Sequence, residues 1–221
     1  MSLKLTIDSD IASLTKWISE TQGKQMPSAV RNALNDTAKD SMFWWKKNLD
    51  KYIDRPTKFT IRNIQYTRAE KNRLVSAVGF ASPTFGKPVG QGSAHYMKLQ
   101  IEGGTRLPQK RAIAVPTSNY KTDKFGNIGK PGKIKSLLEK PNHFSGSING
   151  KAGIFKKKGR GKNKKVEMVI AWEPKAEYQS RLNFQSITKL RINKKFKGIF
   201  EKNLNQVLKR KNIHGIRGWL K

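Results

Sequence analysis

The side chains that most often carry enzymatic chemistry are few and scattered in this chain of 221 residues. Cysteine is absent, which removes thiol nucleophiles, disulfides and cysteine-bound metals. The three histidines lie far apart in sequence and outside any metal-ligand spacing, at His95, His143 and His214. Asp36 and Asp40, a closely spaced acid pair, are typical of helix-surface charges. We therefore predict a protein that is not an enzyme and that has no cofactor.

Positive charge is the main feature of the composition, because 46 Lys and Arg against 15 Asp and Glu leave a net charge of +31. The charge is clustered: no acidic residue occurs between Lys140 and Val166, and between Lys189 and Lys221 the acid is Glu201. Such clusters favour an anionic partner, which is nucleic acid, an anionic membrane or an acidic protein. The residues predicted to contact it are Lys151, Lys156, Lys157, Lys158, Arg160, Lys162, Lys164 and Lys165.

Two interpretations of this lysine-rich stretch stand side by side. In the first, lysines on a glycine-rich tether contact the phosphates of a duplex without reading its bases. In the second, the stretch is a solvated loop or an arm that bridges to an acidic neighbouring subunit. Apolar residues in the same region favour docking on a partner, and they are Phe144, Ile148, Ile154 and Phe155.

The sequence does not indicate a membrane partner. No run of eighteen apolar residues occurs, and the segment after Met1 lacks the apolar core and cleavage site of a signal peptide. We therefore expect synthesis in the cytoplasm and no contact with a membrane.

One long amphipathic helix is predicted from Pro27, with about seven turns that end at Asp54-Arg55-Pro56. Apolar and small residues recur every three or four positions along it, at Val30, Leu34, Ala38, Ser41, Trp45, Leu49 and Tyr52. Core packing is the first explanation for the aromatic residues of this helix. A subunit interface is the alternative, and we assign it to Phe43 and Trp44, because aromatic residues are enriched at interface centres.

Shorter elements are predicted on both sides of this helix. Alternation of apolar and polar residues predicts strands at 3–7, 59–61, 64–68, 73–80, 112–116 and 166–172. Helical spacing predicts further helices at 11–22, 93–101 and 193–211. Residues 69–72 are typical of a hairpin turn, and Gly103, Gly104, Thr105 and Arg106 are typical of a turn at a helix exit.

These elements predict an α+β fold in which the long N-terminal helix and the C-terminal helix pack on a small antiparallel sheet. Residues 1–116 and 166–213 would form one structural domain. Residues 117–165, rich in Gly, Lys, Ser and Asn, are too long for an ordinary loop, so we predict a basic extended insertion or arm there. Residues 214–221 are predicted to form a flexible C-terminal tail.

Three segments together resemble a known group of proteins. The helix PSAVRNALNDTAKDS resembles the opening helix of the phage minor tail protein Z family. The segment HYMKLQIEGGTRLPQKRAIAVP resembles a Gly-Thr-Arg turn of phage tail-completion and neck proteins, and the basic helix FKGIFEKNLNQVLKR fits the same layout. The resemblance is carried mainly by residues 27–53 and 95–116.

The resemblance implies a structural virion protein, a minor tail or tail-completion component at the head-proximal end of the tail or at the neck. It implies a ring of identical copies around the DNA passage. The expected partners are those copies, neighbouring tail or neck proteins, the tape-measure protein and the packaged DNA backbone. The protein would be made in the host cytoplasm and end in the virion. The turn from Gly103 to Arg106 would contact a neighbouring subunit.

Two alternatives remain open at this point. A free, sequence-nonspecific nucleic-acid-binding protein would also explain the charge, and it would bind DNA tightly as an isolated monomer with strong salt dependence. A nuclease or peptidase is the remaining class, and it would require a cleft that brings acids or histidines together.

Overall fold

Two long helices and three antiparallel sheets form the part of the chain that the computed structural model describes. The described residues are 26–90, 92–128, 132–159 and 163–210. The helices are α1 (Met26–Asn48), α2 (Lys58–Arg62), α3 (Ala94–Glu102), α4 (Gly132–Leu138) and α5 (Phe184–Arg210). The strands are β1 (Ile64–Thr67), β2 (Ala77–Phe80), β3 (Gly104–Arg106), β4 (Ile113–Pro116), β5 (His143–Ile148), β6 (Lys151–Lys158), β7 (Lys165–Glu173) and β8 (Ala176–Tyr178).

The predicted α+β class is confirmed by this combination of helices and antiparallel sheets. Five predicted features lie outside the described residues, namely the strand at 3–7, the helix at 11–22, the tail at 214–221, Arg160 and Lys162.

The predicted stripe of α1 is buried along its length. Its members from Val30 to Leu49 are all buried, whereas Tyr52 at its end is 36% exposed. The α-helix ends at Asn48 and continues as a single 3-10 turn over Leu49–Lys51, so the helical segment stops before the predicted end at Asp54. Residues three and four apart thus form the face that packs on the rest of the domain.

α5 runs antiparallel to α1 and covers this buried face. Near one end of the pair, Phe200 and Leu204 pack with Val30 and Leu34. Near the other end, the indole Nε1 of Trp45 donates a hydrogen bond of 2.8 Å to the hydroxyl of Thr188, and both side chains are fully buried. The two helices therefore share one continuous interface.

α5 begins at Phe184, well before the predicted start at residue 193. Its first turns are held by Phe184, which stacks on Trp45 with ring centroids 4.7 Å apart. The next inward position is Thr188, whose hydroxyl donates to the Phe184 carbonyl at 2.6 Å. A polar residue thus occupies a core position. Because it breaks the spacing of apolar residues, that spacing does not predict the first turns of the helix.

The segment after Pro56 begins with a short helix, so the predicted strand at 59–61 is wrong. The Thr57 hydroxyl caps α2 by accepting a hydrogen bond of 3.1 Å from the Thr60 backbone N–H. Such a cap satisfies a donor that the first helical turn leaves free. Local capping outweighs the two-residue alternation that predicts a strand.

β1 and β2 form the antiparallel pair expected after this helix. Ile64 lies opposite Phe80, and both are buried. The turn predicted at 69–72 is present, because Glu70 and Arg73 exchange backbone hydrogen bonds of 2.9 and 3.1 Å. The strand predicted at 73–80 is shorter than expected and covers only its last four residues.

α3 ends at the predicted glycines. Gly103 has a φ of 74°, and a Cβ at this position would lie 3.0 Å from the Tyr178 carbonyl oxygen, so glycine fits where other residues would push β8 away. The predicted turn is wrong for Gly104, Thr105 and Arg106, which form β3 and pair with β8. The partner strand lies far away in sequence, so local spacing does not signal this pairing.

The largest sheet contains β4, β7, β6 and β5 in that order. The predicted strands at 112–116 and 166–172 are confirmed as β4 and β7. The described residues between 117 and 165 supply β5, β6 and α4, and both strands belong to this sheet, so the prediction of an extended arm there is wrong. Asn149 and Gly150 join β5 to β6 with φ of 50° and 74°, as a type I′ hairpin requires. This Asn-Gly pair is the sequence signal for a hairpin, and it lies within a stretch whose Gly-, Lys-, Ser- and Asn-rich composition predicts an arm.

The four-stranded sheet has a core of its own, separate from the clusters around α1. Ile154, Val169 and Ile170 form its buried centre. Gly153 lies so close to β7 that a Cβ would be 2.2 Å from the Ile170 carbonyl oxygen. The close approach of the two backbones therefore requires glycine at this position.

Gly153→Ala should destabilise the fold by roughly 1–3 kcal/mol, the usual cost of overpacking, because the β7 backbone must move away from the added methyl group. Urea unfolding followed by circular dichroism measures the change. Gly198→Ala is the matched control, since a Cβ on this α5 residue meets nothing within 4 Å. It should raise stability by about 0.5–1 kcal/mol because alanine favours a helix. Equal stability of the two variants would contradict the close approach at Gly153.

Candidate polyanion interface

Five lysines of the predicted contact stretch meet at one end of the β6–β7 pair. Lys156, Lys157 and Lys158 complete β6, Lys164 directly precedes β7 and Lys165 begins it, and all five side chains are exposed. Antiparallel pairing places Lys158 directly opposite Lys165. We call these five residues the lysine end.

The lysine end is a site of mutual repulsion. Residues directly opposite each other in an antiparallel pair have Cβ atoms about 4.5–5.5 Å apart, so the charges of Lys158 and Lys165 destabilise the pairing. Glu167 compensates part of this charge, with its Oε1 3.2 Å from the Nζ of Lys158. An anion that carries several oxygens would relieve the remaining repulsion.

Lys151 is separated from the lysine end. It opens β6 beside the Asn149-Gly150 turn, and at a rise of about 3.3 Å per residue it lies about 23 Å from Lys158. The structure therefore separates Lys151, at the start of β6, from the lysine end, at the opposite end of the β6–β7 pair.

The apolar residues predicted to dock on a partner pack mostly inside the chain. Ile154 and Phe155 are 0% and 4% exposed, so the docking prediction is wrong for these two. Phe155 stacks on Phe144 with centroids 5.7 Å apart, and the Nζ of Lys157 lies 5.3 Å from the Phe144 ring. Ile148 stays exposed. The buried residues hold the lysines on a folded strand instead of a flexible tether.

A basic cavity of about 450 Å³ lies beside the lysine end, and no spacing of residues in the sequence predicts it. The residues that line it are Asn119, Tyr120, Lys121, Ser136, Leu137, Lys140, His143, Lys156 and Val169. They come from the turn after β4, from α4 and the residues after it, and from three strands. No local motif marks such a site, because the fold alone brings these segments together.

His143 is the histidine of this cavity. Burial lowers the pKa of its imidazole, and the nearby charges of Lys156 and Lys140 lower the pKa further. Its Nδ1 is buried and has no hydrogen-bond partner in the described part of the chain. The cavity therefore favours the neutral imidazole and carries a positive potential.

The predicted interface residues on α1 have different environments. Phe43 is 55% exposed. Trp44 is half-buried, with the guanidinium of Arg191 5.1 Å from its ring centroid, and Arg191 pairs with Asp40 at 2.7 Å. Trp44 thus packs within the chain, while Phe43 is available to a neighbour.

β3 carries the other predicted interface segment. Gly104, Thr105 and Arg106 are exposed, whereas Gly103 is partly buried at the end of α3. β3 belongs to a two-stranded sheet, so its edge away from β8 is unpaired within the described residues. An unpaired edge offers backbone donors and acceptors to a strand of another chain.

Within residues 26–90, 92–128, 132–159 and 163–210, no group of three histidine, aspartate or glutamate side chains could hold a metal ion. No helix in the same ranges is long and apolar enough to cross a membrane. No family model matches the chain, and neither a curated protein nor a solved structure matches it. The lysine end, the basic cavity and the β3 edge are therefore the features from which a function can be proposed.

His143→Gln should reduce the loss of stability on acidification. Because its pKa is lowered in the folded chain, the imidazole binds a proton more tightly when the chain unfolds, and stability falls as the pH drops below the ordinary pKa of 6.5. Thermal unfolding of the wild type and the variant between about pH 7 and 5 measures the difference. His95→Gln, which removes an exposed imidazole on α3, is the matched control. Parallel pH profiles for wild type and His143→Gln would contradict this prediction.

Proposed function

We propose that this protein is a non-enzymatic structural component of a virus particle, a minor tail or tail-completion protein at the head-proximal end of the tail or at the neck. Copies of the chain form a ring around the DNA passage, with the lysine end facing the DNA backbone. The observation that carries this proposal is the lysine end itself, five exposed lysines at the end of a strand pair whose central apolar residues, Ile154, Val169 and Ile170, are buried in the chain's own core.

Lysine suits contact that is independent of base sequence. Its ammonium group is a compact point charge on a flexible stem, and contacts to phosphate fix position without reading bases. Successive lysines of β6 point to opposite faces of the sheet, so the lysine end presents charge on both sides. Such a surface can contact a duplex that passes along it in more than one orientation.

The resemblance to phage tail proteins supports a place in the tail or neck. The two segments that carry it, 27–53 and 95–116, form α1 and the run from α3 through β3 to β4. We call these elements the body of the domain, and the lysine end lies on β6 and β7, which come later in the chain. The body would make the contacts of the ring, and the lysine end would contact DNA.

Two different surfaces support a ring. Phe43 on α1 and the unpaired edge of β3 lie on separate elements, and a head-to-tail contact joins two unlike surfaces of identical chains. Contacts of this type close into a ring when the rotation between neighbours permits it. Other tail or neck proteins and the tape-measure protein would be the neighbours of that ring.

The second candidate is a free, sequence-nonspecific nucleic-acid-binding protein, and the net charge of +31 favours it. It shares the phosphate contact with the first candidate but requires no self-association. The oligomeric state therefore separates the two.

Replacement of four lysines of the lysine end, Lys157, Lys158, Lys164 and Lys165, by glutamine should weaken duplex DNA binding. If all four contact phosphates, the slope of log affinity against log salt should fall by about 3–4, at about 0.9 for each phosphate contact. Fluorescence anisotropy at several salt concentrations measures it.

A control with the same loss of charge changes four exposed lysines of α5, which are Lys194, Lys195, Lys197 and Lys202. The salt slope should stay near the wild-type value in this variant. Equal reductions in both variants would show that the net charge binds DNA and that the lysine end has no special role.

Phe43→Gln should weaken self-association of the purified protein at least tenfold, because it removes the exposed aromatic side chain of α1 from the ring contact. Mass photometry over a range of concentrations measures the assembly. Leu190→Gln is the matched control, since Leu190 is 71% exposed on α5 and is not assigned to the ring. A wild-type chain that remains monomeric at all concentrations and binds duplex DNA tightly would favour the second candidate.

A further inference from the structure

The basic cavity has the size and lining of a ligand site. Its volume of about 450 Å³ lies in the range of small-molecule pockets, about 300–1,000 Å³. Three lysines line it from three separate segments: Lys121 from the turn after β4, Lys140 from the end of the α4 region, and Lys156 from β6. Convergence of cations from distant parts of the sequence results from the fold and not from a run of basic residues.

None of these three lysines forms an ion pair with a carboxylate in the described part of the chain. The lining of the cavity contains no aspartate or glutamate from the described residues. Asp123 and Glu139 are close in sequence to two of the lysines but do not line the cavity, and the Asp123 carboxylate accepts hydrogen bonds from the backbone of Phe125 and Asn127. The positive charge of the cavity is therefore uncompensated from within.

The remaining lining combines hydrogen-bonding groups with an apolar wall. Ser136 and His143 add polar side chains, and Tyr120, Leu137 and Val169 add carbon surface. The hydroxyl of Tyr120 donates to the Ile128 carbonyl at 2.9 Å, which fixes this residue in the wall. Several cations beside an apolar wall match a ligand that has a multiply charged group attached to a less polar body.

We propose that this cavity binds a phosphate monoester, with Lys121, Lys140 and Lys156 around the phosphate group and the Tyr120 wall against the body of the ligand. A free nucleotide and the 5′-phosphorylated end of a nucleic acid strand share this chemistry. The site does not depend on the proposed role in a virus particle, because two of its three lysines lie outside the lysine end.

His143 supplies a direct probe of occupancy. The positive surroundings and the burial that lower its pKa act against protonation in the empty cavity. A phosphate dianion close to the ring favours the imidazolium form, so binding raises the pKa of His143. Chloride at equal ionic strength screens charges in general, but it is a single ion and cannot place several anionic oxygens beside the ring as a phosphate group does.

The experiment is an NMR titration of the His143 ring resonances in the full chain with deoxyadenosine monophosphate, and in separate arms with inorganic phosphate and sodium chloride. A saturable shift with the nucleotide, together with a rise in the pKa of His143, supports the site. In the double variant Lys121→Gln with Lys140→Gln, the affinity should fall at least tenfold. The double variant Lys194→Gln with Lys195→Gln is the control for charge and should keep the wild-type affinity.

A second pair of probes separates the two sources of the phosphate. A short oligonucleotide with a 5′-phosphate that competes with the nucleotide, while its 5′-hydroxyl form does not, supports the strand end as the natural ligand. Competition by neither oligonucleotide, with the nucleotide still bound, supports a free nucleotide. The site is overturned if the folded wild-type chain shows no saturable shift up to about 10 mM nucleotide. Any binding that escapes detection at this concentration has a free energy weaker than about 3 kcal/mol. An equal shift in both double variants also overturns the site.

The lysine-end test remains independent of this result. Lys121 and Lys140 are unchanged in the variant that removes Lys157, Lys158, Lys164 and Lys165, and the converse also holds. If the variant Lys121→Gln with Lys140→Gln loses nucleotide binding but keeps the salt slope for duplex DNA, the nucleotide binds in the cavity and not at the lysine end.

Discussion

The Trp45 indole of α1 is buried against α5 and the β1–β2 pair, and the packing of the two long helices on the first sheet depends on this contact. Its ring stacks on Phe184 and its Nε1 donates to Thr188, so one side chain combines apolar burial with a satisfied polar group. The surrounding cluster includes Phe80 and Met97, and it joins both long helices to the first sheet and to α3. Burial of about 200 Å² of aromatic surface contributes on the order of 5 kcal/mol.

The second core allows the chain to carry a large charge on a folded surface. Ile154, Val169 and Ile170 hold the four-stranded sheet together without help from the clusters around α1. The exposed lysines of that sheet can then repel one another at its rim, since water and counterions screen the rim and the apolar residues stabilise its centre. The basic cavity lies between the same sheet and α4, so the two candidate anion sites share this scaffold.

The sequence predicted those elements whose residues follow a regular period or end at a clear signal. The stripe from Val30 to Leu49, the exit of α3 at Gly103 and the strand β7 are examples. It failed where a polar residue acts in the core or at a cap. Thr188 interrupts the apolar spacing of α5, and Thr57 starts a helix where alternation predicts a strand. The lysine end followed from composition, whereas the cavity required contacts between segments distant in sequence.

By itself the sequence determined the α+β class, the buried face of α1, the excess of positive charge and the region in which most of that charge is concentrated. These follow from side-chain period and composition, which act locally. Only the tertiary structure decided that the described residues between 117 and 165 form β5, β6 and α4, that Lys151 lies far from Lys158, and that Lys121, Lys140 and His143 share a cavity. These three features depend on strand register and on packing between distant segments. The spacing of neighbouring residues encodes neither the register nor the packing.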